Sequence, residues 1–115
     1  MAKKGKILVV DDNQGIREAL KILLGGCFER VETLPSPVSL MRTVESLRPD
    51  VILLDMNFRT DINTGNEGLF WLSEIKSRRP EQAVVLFTAY ADIALAVEGM
   101  KRGAEDFPLL LSLFP

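Results

Sequence analysis

The sequence predicts an α/β protein whose parallel sheet carries helices on both faces. Short aliphatic runs alternate along the chain with segments in which apolar residues recur at helical spacing. The runs are apolar throughout, which is typical of strands buried on both faces inside a parallel sheet. The alternation of strand and helix favours right-handed crossover connections, which leave the strands parallel.

The aliphatic runs predict five strands. The clearest run, Val51–Leu54, lies between Pro49 and a long polar stretch that begins after Asp55. The second run is partly polar, as an edge strand can be. In chain order, the predicted strands are Ile7–Val10, Val31–Leu34, Val51–Leu54, Ala83–Phe87 and Ala104–Leu109.

Four segments are predicted to be helices, and their ends carry stop and start signals. Asp12 or Asn13 can cap the first helix, Gly25-Gly26 ends it, and Ser36 can cap the second. The predicted helices are Ile16–Leu24, a segment from Pro37 to just before Pro49, Glu67–Arg79 and Ala91–Arg102. The residues predicted to face inward are Val38, Met41, Val44 and Leu47 in the second helix, and Leu69, Phe70, Leu72 and Ile75 in the third.

For a short doubly wound chain, the expected strand order is 2-1-3-4-5, the flavodoxin-like arrangement. A chain of 115 residues is long enough for one hydrophobic core and leaves little room for a second. Residues 1–115 are therefore predicted to form a single domain.

Composition excludes several classes of function. The chain has no His and a single Cys, so His-based catalysis, Cys/His metal sites and an internal disulfide are excluded within it. The formal net charge is −2 and the basic residues are scattered, which argues against a nucleic-acid or membrane surface. No segment approaches the roughly 20 apolar residues of a membrane span, and no signal peptide is visible. A soluble, cytoplasmic protein is therefore expected.

Acidic residues directly follow the first and third predicted strands. These strands are neighbours in the predicted order, so Asp11, Asp12 and Asp55 should converge at the carboxyl edge of the sheet, with Thr88 arriving from the fourth strand. Three carboxylates repel one another unless a cation joins them, and oxygen ligands without His or Cys suit Mg²⁺. Such a magnesium ion can grip phosphoryl oxygens, and an Asp carboxylate can be a nucleophile. Taken singly, Asp55 can instead open a turn, and the Asp pair can cap a helix.

Four segments together resemble a response-regulator receiver domain, and the resemblance extends from residue 5 to about residue 107. The order of the segments matches and the spacing is near standard. The region around the fourth helix most resembles the receivers of nitrogen-regulation-type transcription activators. The matching segments are Ile-Leu-Val-Val-Asp-Asp-Asn, Val-Ile-Leu-Leu-Asp, Leu-Phe-Thr-Ala-Tyr and Lys-Arg-Gly-Ala-Glu-Asp-Phe.

The resemblance implies a phosphorylation site and a Mg²⁺ site. Asp55 would be the phosphoacceptor, taking phosphate from a histidine kinase or a small phosphodonor, so the domain is not a turnover enzyme. Asp11 and Asp12 would hold Mg²⁺ together with Asp55 and the backbone carbonyl of Asn57. An output domain is absent from this chain, so a role in transcription would need one from elsewhere.

The resemblance also implies a conformational switch. Thr88 would be the switch hydroxyl that moves toward the phosphate. Phe107 would be the switch aromatic, whose rotamer follows Thr88 and reshapes the surface of the fourth helix and fifth strand. Tyr90 occupies a position that influences the lifetime of the phosphate in this family.

The sequence departs from the family pattern in two places. The loop after Asp55 is longer than usual, which could alter access for phosphodonors. The family has Lys-Pro three residues after the switch aromatic, where this chain has Leu110-Leu111. The apolar tail Pro108–Pro115 stands where a fifth helix is expected, so that helix is predicted to be missing or replaced by the tail. Exposed apolar surface of this kind usually marks association, so self-association, for instance as a homodimer, is expected.

Three other functions compete with a phosphorylatable receiver. The missing lysine favours a degenerate receiver that acts as an interaction domain without phosphorylation. A Mg²⁺-dependent phosphohydrolase usually has a second Asp two residues after the nucleophile, where this chain has Asn57. A flavin-binding protein is disfavoured because Asp11-Asp12 would repel phosphate at the end of the first strand.

Overall fold

The computed structural model describes residues 5–55, 66–87 and 103–104. Within these residues, four parallel strands form one sheet in the order β2-β1-β3-β4. The strands are β1 (Lys6–Val10), β2 (Arg30–Leu34), β3 (Val51–Asp55) and β4 (Ala83–Phe87). The helices are α1 (Gln14–Leu24), α2 (Leu40–Leu47) and α3 (Asn66–Arg78), and a 3₁₀ turn, Pro37–Ser39, precedes α2. None of the described helices is long and apolar enough to cross a membrane.

The predicted α/β fold with the flavodoxin-like strand order is confirmed for the first four strands. The predicted fourth helix, the fifth strand beyond Ala104 and the tail Pro108–Pro115 lie outside the described residues. The partly polar second run does form the edge strand β2 of the described sheet.

The sheet separates two hydrophobic cores, because successive side chains of each strand point to opposite faces. On one face, α2 and α3 pack on the sheet. On the other face, α1 and Phe28 do so. The first core contains Leu8, Val10, Leu40, Val44, Leu47, Ile52, Leu54, Leu72, Ile75 and Val84. The second contains Ile7, Val9, Leu24, Phe28, Val51, Leu53 and Val85. The central strands β1 and β3 are therefore buried on both faces, as their unbroken apolar runs predict, whereas the edge strand β2 is only half-buried.

The register of β1 and β3 positions the acidic residues. The two strands pair without a bulge from Ile7 opposite Val51 to Val10 opposite Leu54. One step further along the chains, Asp11 follows β1 at the level of Asp55, the last residue of β3. The sheet itself thus brings two carboxylates to one edge.

The conformation at the start of α1 shows which of the two candidates, Asp12 or Asn13, caps the helix. Asn13 has an extended backbone (φ −89°, ψ 115°), and its side chain accepts a hydrogen bond from the N–H of Ile16 at 3.0 Å. Asn13 is therefore the N-cap, and Asp12 is left for another role. The helix ends at Gly25, as predicted, where a Cβ atom would lie only 2.9 Å from the carbonyl oxygen of Lys21.

Two side chains that were predicted to face inward are exposed. Val38 is 86% exposed because it lies in a 3₁₀ turn that begins after Ser36. A 3₁₀ turn has three residues per turn, so the buried side of the segment falls at a different position from that in an α-helix. The residue buried here is Leu40. Phe70 is 53% exposed because it lies on the side of α3 away from Leu72. Its ring forms a T-shaped pair with the ring of Trp71, at a centroid distance of 5.1 Å and an interplanar angle of 84°. Both predictions were wrong.

Candidate functional site

Three carboxylates meet at the carboxyl edge of the sheet. Asp11 and Asp12 follow β1, and Asp55 ends the neighbouring strand β3. One carboxylate oxygen from each residue lies within 4.8 Å of the other two. The structure thus brings together the three acidic residues that the strand order predicts to converge.

Asp11 is buried and is held by hydrogen bonds at both its backbone and its side chain. It is 2% exposed, and its N–H donates to the carbonyl of Leu34 at 3.1 Å. Its Oδ1 accepts a hydrogen bond from the N–H of Asn13 at 2.8 Å. Burial raises the pKa of the Asp11 carboxyl; the bond from Asn13 offsets part of the rise, and the nearby Asp12 carboxyl adds to it. Charged Asp11 is therefore disfavoured unless a cation compensates it.

The donor set fits a hard divalent cation. Asp55 is 6% exposed, whereas Asp12 is partly exposed and opens the cluster to solvent. Oxygen ligands of Mg²⁺ lie about 2.0–2.1 Å from the ion, so ligands on opposite sides are roughly 4 Å apart. Oxygens within 4.8 Å of one another can therefore share one ion after a small contraction or through one of its waters. Among the described residues, the cluster contains only carboxylate oxygens, which favours Mg²⁺ over zinc.

A basic residue that the sequence reasoning missed lies next to the cluster. Arg17 donates a hydrogen bond from Nη1 to the backbone carbonyl of Asp11 at 2.7 Å. Its positive charge lowers the pKa of Asp11, against the larger effect of burial. The sequence carries one signal of this contact, which is the position of Arg17 near the N-terminus of a helix. A positive charge there is unfavourable with the helix dipole, so the side chain needs a specific partner.

Other predicted site residues lie outside the described part of the chain. They are Asn57, Thr88, Tyr90, Phe107 and Leu110. Phe87, the last residue of β4, pairs with Asp55. Thr88 follows Phe87 in the sequence, so its predicted place at this edge still rests on the strand order.

The fold and the position of the acidic cluster are those of a signal receiver domain, and comparison with known proteins gives the family. The model of the response regulator receiver domain matches residues 7–109. This match covers most of the chain, so the protein belongs to the receiver domain family of two-component response regulators. The predicted resemblance is confirmed.

Among individual relatives, the Escherichia coli DNA-binding transcriptional regulator NtrC is 32% identical over 105 residues. The match covers 91% of this chain and 21% of NtrC, so the chain spans about a fifth of that relative. The N-terminal signal receiver domain of a Bacteroides fragilis response regulator has a similar structure, with a TM-score of 0.80 and 49% identity over 97% of this chain and 94% of that one. NtrX from Brucella abortus gives a TM-score of 0.78 at 30% identity, over 90% of this chain and 22% of NtrX. The similarity to NtrC agrees with the predicted resemblance to nitrogen-regulation-type receivers.

Proposed function

We propose that this receiver domain accepts a phosphoryl group on Asp55 in a Mg²⁺-dependent reaction. The observation that carries the proposal is the position of Asp55, buried at the carboxyl edge of the sheet with Asp11 and Asp12 close by. The donor is a histidine kinase or a small phosphodonor such as acetyl phosphate. The domain is modified once per cycle and is not a turnover enzyme.

The chemistry needs a nucleophile, charge neutralisation and little else. A carboxylate oxygen of Asp55 forms a bond to phosphorus, while the bond from phosphorus to the donor nitrogen or oxygen breaks and its electron pair leaves with the donor. Asp11, Asp12 and the backbone carbonyl of Asn57 would hold Mg²⁺ together with Asp55. When bound, the ion neutralises charge on the phosphoryl oxygens. Asp11 is already fixed by its hydrogen bonds to Leu34 and Asn13, so it contributes a preorganised ligand.

The proposed output is a change of surface on the same domain. Thr88 is proposed as the switch hydroxyl and Phe107 as the switch aromatic, which together reshape the surface of the fourth helix and fifth strand. Residues 1–115 are proposed to be one receiver domain. The greater length of NtrC supports an output domain that acts with the receiver in a longer protein, and a cytoplasmic location suits exchange with a histidine kinase.

Phosphorylation is tested by incubating the full chain with acetyl phosphate and Mg²⁺ and measuring its intact mass. We expect the mass of one phosphoryl group to be added, and we expect no addition in Asp55→Asn or in the presence of a chelator. Glu18→Gln, an exposed carboxyl-to-amide change on α1, is the matched control and should be labelled like wild type. Absence of labelling in a folded wild type would identify a degenerate receiver and contradict the proposal.

The metal site is tested separately by Mg²⁺ titration, followed through the amide NMR signals of residues 11–13. We expect weak, saturable binding that Asp12→Ala abolishes, because the variant removes one carboxylate of the cluster. Glu81→Ala, just before β4 at the opposite edge of the sheet, should bind like wild type. Unchanged signals at residues 11–13 in wild type would show that the ligand assignment is wrong.

A further inference from the structure

The turn between β1 and α1 is spanned by Arg17. Its Nη1 donates to the backbone carbonyl of Asp11 at 2.7 Å, in a partly buried position. Its backbone N–H donates to the carbonyl of Asn13 at 3.0 Å. Arg17 therefore contacts both ends of the turn Asp11–Asn13, and Asp12 lies between two fixed points.

Helix stability does not account for an arginine at this place. Arg17 is the fourth residue of α1, whose N-terminus carries a partial positive charge. A cation there is unfavourable, and acidic residues are preferred. The side chain instead turns back toward the carbonyl of Asp11, next to the acidic cluster.

We propose that Arg17 is a positioning residue of the cation site. By fixing the backbone of Asp11 through its guanidinium, it keeps the Asp11–Asn13 turn in the shape that holds the carboxylates of Asp11 and Asp12 within 4.8 Å of Asp55. This inference rests on the proposed function, because it assigns Arg17 to the Mg²⁺ site of that same reaction. Groups that orient metal ligands without touching the metal typically contribute 10–100-fold to affinity.

The charge of Arg17 and its hydrogen bond act on Mg²⁺ in opposite directions. A guanidinium beside the cluster repels a divalent cation, so its charge alone weakens binding. The hydrogen bond to Asp11 arranges the ligands and strengthens binding. Removal of Arg17 therefore tightens Mg²⁺ binding if only its charge matters, and weakens it if positioning dominates.

The test is a Mg²⁺ titration of the full chain at constant ionic strength, followed through the amide signals of residues 11–13. We expect Arg17→Gln to weaken binding by about tenfold. Arg17→Lys keeps the charge and one donor group, so it should lose less affinity than Arg17→Gln. Arg42→Gln removes the same charge from an exposed position on α2 and should leave the affinity unchanged.

Binding that is unchanged or tighter in Arg17→Gln would overturn the inference. A lower unfolding temperature with wild-type affinity in the folded variant would also overturn it, since Arg17 would then only stabilise the fold. If Arg17→Gln does not fold, the same criteria apply to Arg17→Lys.

Acetyl phosphate labelling of Asp55 in wild type separates the two proposals. Labelling that requires Mg²⁺, together with unchanged affinity in the Arg17 variants, refutes the positioning role alone, whereas a wild type that neither binds Mg²⁺ nor is labelled refutes both.

Discussion

The carboxylate of Asp11 accepts a hydrogen bond from the backbone N–H of Asn13 at 2.8 Å, within the turn that leads from β1 into α1. Asn13 in turn caps α1 by accepting a hydrogen bond from the N–H of Ile16. The buried carboxylate is thus tied to the start of the helix. Burial nevertheless raises the pKa of Asp11, so the hydrogen bond compensates only part of the cost of removing the charge from water.

This relationship predicts how stability depends on pH when no metal is added. The pKa of Asp11 in the folded state lies above its ordinary value of 3.8, so the folded chain binds the proton more tightly than the unfolded chain. The Asp11 carboxyl contributes fully to the free energy of unfolding at pH values below its ordinary pKa. This contribution is lost as the pH rises through the folded-state pKa. At neutral pH, Asp11→Asn should therefore raise the free energy of unfolding, because Asn keeps the acceptor for Asn13 without the charge.

Denaturant unfolding in a chelator, at neutral pH and near pH 4, measures this effect. The gain from Asp11→Asn should be largest at neutral pH and should shrink as the wild-type carboxyl becomes protonated. Added Mg²⁺ should stabilise wild type more than the variant, because the ion binds the charged form. A variant that is less stable than wild type at neutral pH without metal would contradict the prediction.

The convergence of the acidic residues could be predicted from the sequence because it follows from topology. An unbroken apolar run such as Val51–Leu54 predicts a buried parallel strand, and neighbouring parallel strands end at the same edge. Asp11 and Asp55 then lie together whatever the details of their side chains. The interaction of Arg17 with Asp11 could not be predicted in this way, because it depends on the conformation of one turn and one long side chain.

Helix phase was harder to predict than strand position. Ser36-Pro37 does mark the start of a helical segment, but the sequence does not show that the first turn is 3₁₀. This one difference moves Val38 from the core to the surface and places Leu40 inside. In α3, Phe70 follows the buried Leu69, yet one step along an α-helix turns it away from the sheet.

The second prediction concerns Leu110, which stands where the family has a lysine. In the family, that lysine reaches the phosphate and makes a charged hydrogen bond to it. A hydrogen bond to a charged group is worth about 1.5–3 kcal/mol, enough to bias a two-state switch strongly. With Leu at position 110, the beryllofluoride mimic of phosphate should bind at Asp55 but shift Thr88 and Phe107 incompletely. Leu110→Lys should increase the shift, measured by NMR at saturating beryllofluoride, whereas Leu111→Lys should not. A complete shift of Thr88 and Phe107, the two proposed switch residues, in the unmodified chain would contradict this explanation.

The third prediction concerns the end of α2. Arg48 has φ 51° and ψ 62°, a left-handed conformation that glycine adopts without the steric cost of a Cβ atom. Its N–H still donates to the carbonyl of Val44 at 3.0 Å, and a glycine would keep this bond. Arg48→Gly should therefore raise the free energy of unfolding by about 0.5–1 kcal/mol.

The matched control is Arg42→Gly, which removes the same side chain from the interior of α2. Glycine there should lower the free energy of unfolding by about 1 kcal/mol, because the helical conformation costs it more entropy. Denaturant unfolding of both variants gives the comparison. Equal destabilisation by the two changes would show that the left-handed conformation at Arg48 carries no strain.

The last prediction joins the exposed flank of α1 to the apolar tail. Leu23 is 70% exposed and Ile22 is 83% exposed, although Leu24 beside them is buried against the sheet. Pro108–Pro115 contains five large apolar residues between two prolines, and proline interrupts a helix. We therefore expect the tail to cover the flank of α1 in a second copy of the chain, which makes self-association depend on both segments.

Sedimentation of the full chain over a range of concentrations tests this association. Leu23→Lys and a chain that ends at Phe107 should both be more monomeric than wild type, because each removes one side of the contact. Val38→Lys is the control, since Val38 is 86% exposed but belongs to the segment that packs on the opposite face of the sheet. A full chain that stays monomeric, with NMR signals of the tail typical of a disordered segment, would contradict the prediction. Equal loss of association in Leu23→Lys and Val38→Lys would mean that the contact is nonspecific, because the two positions share exposure but not their place in the fold.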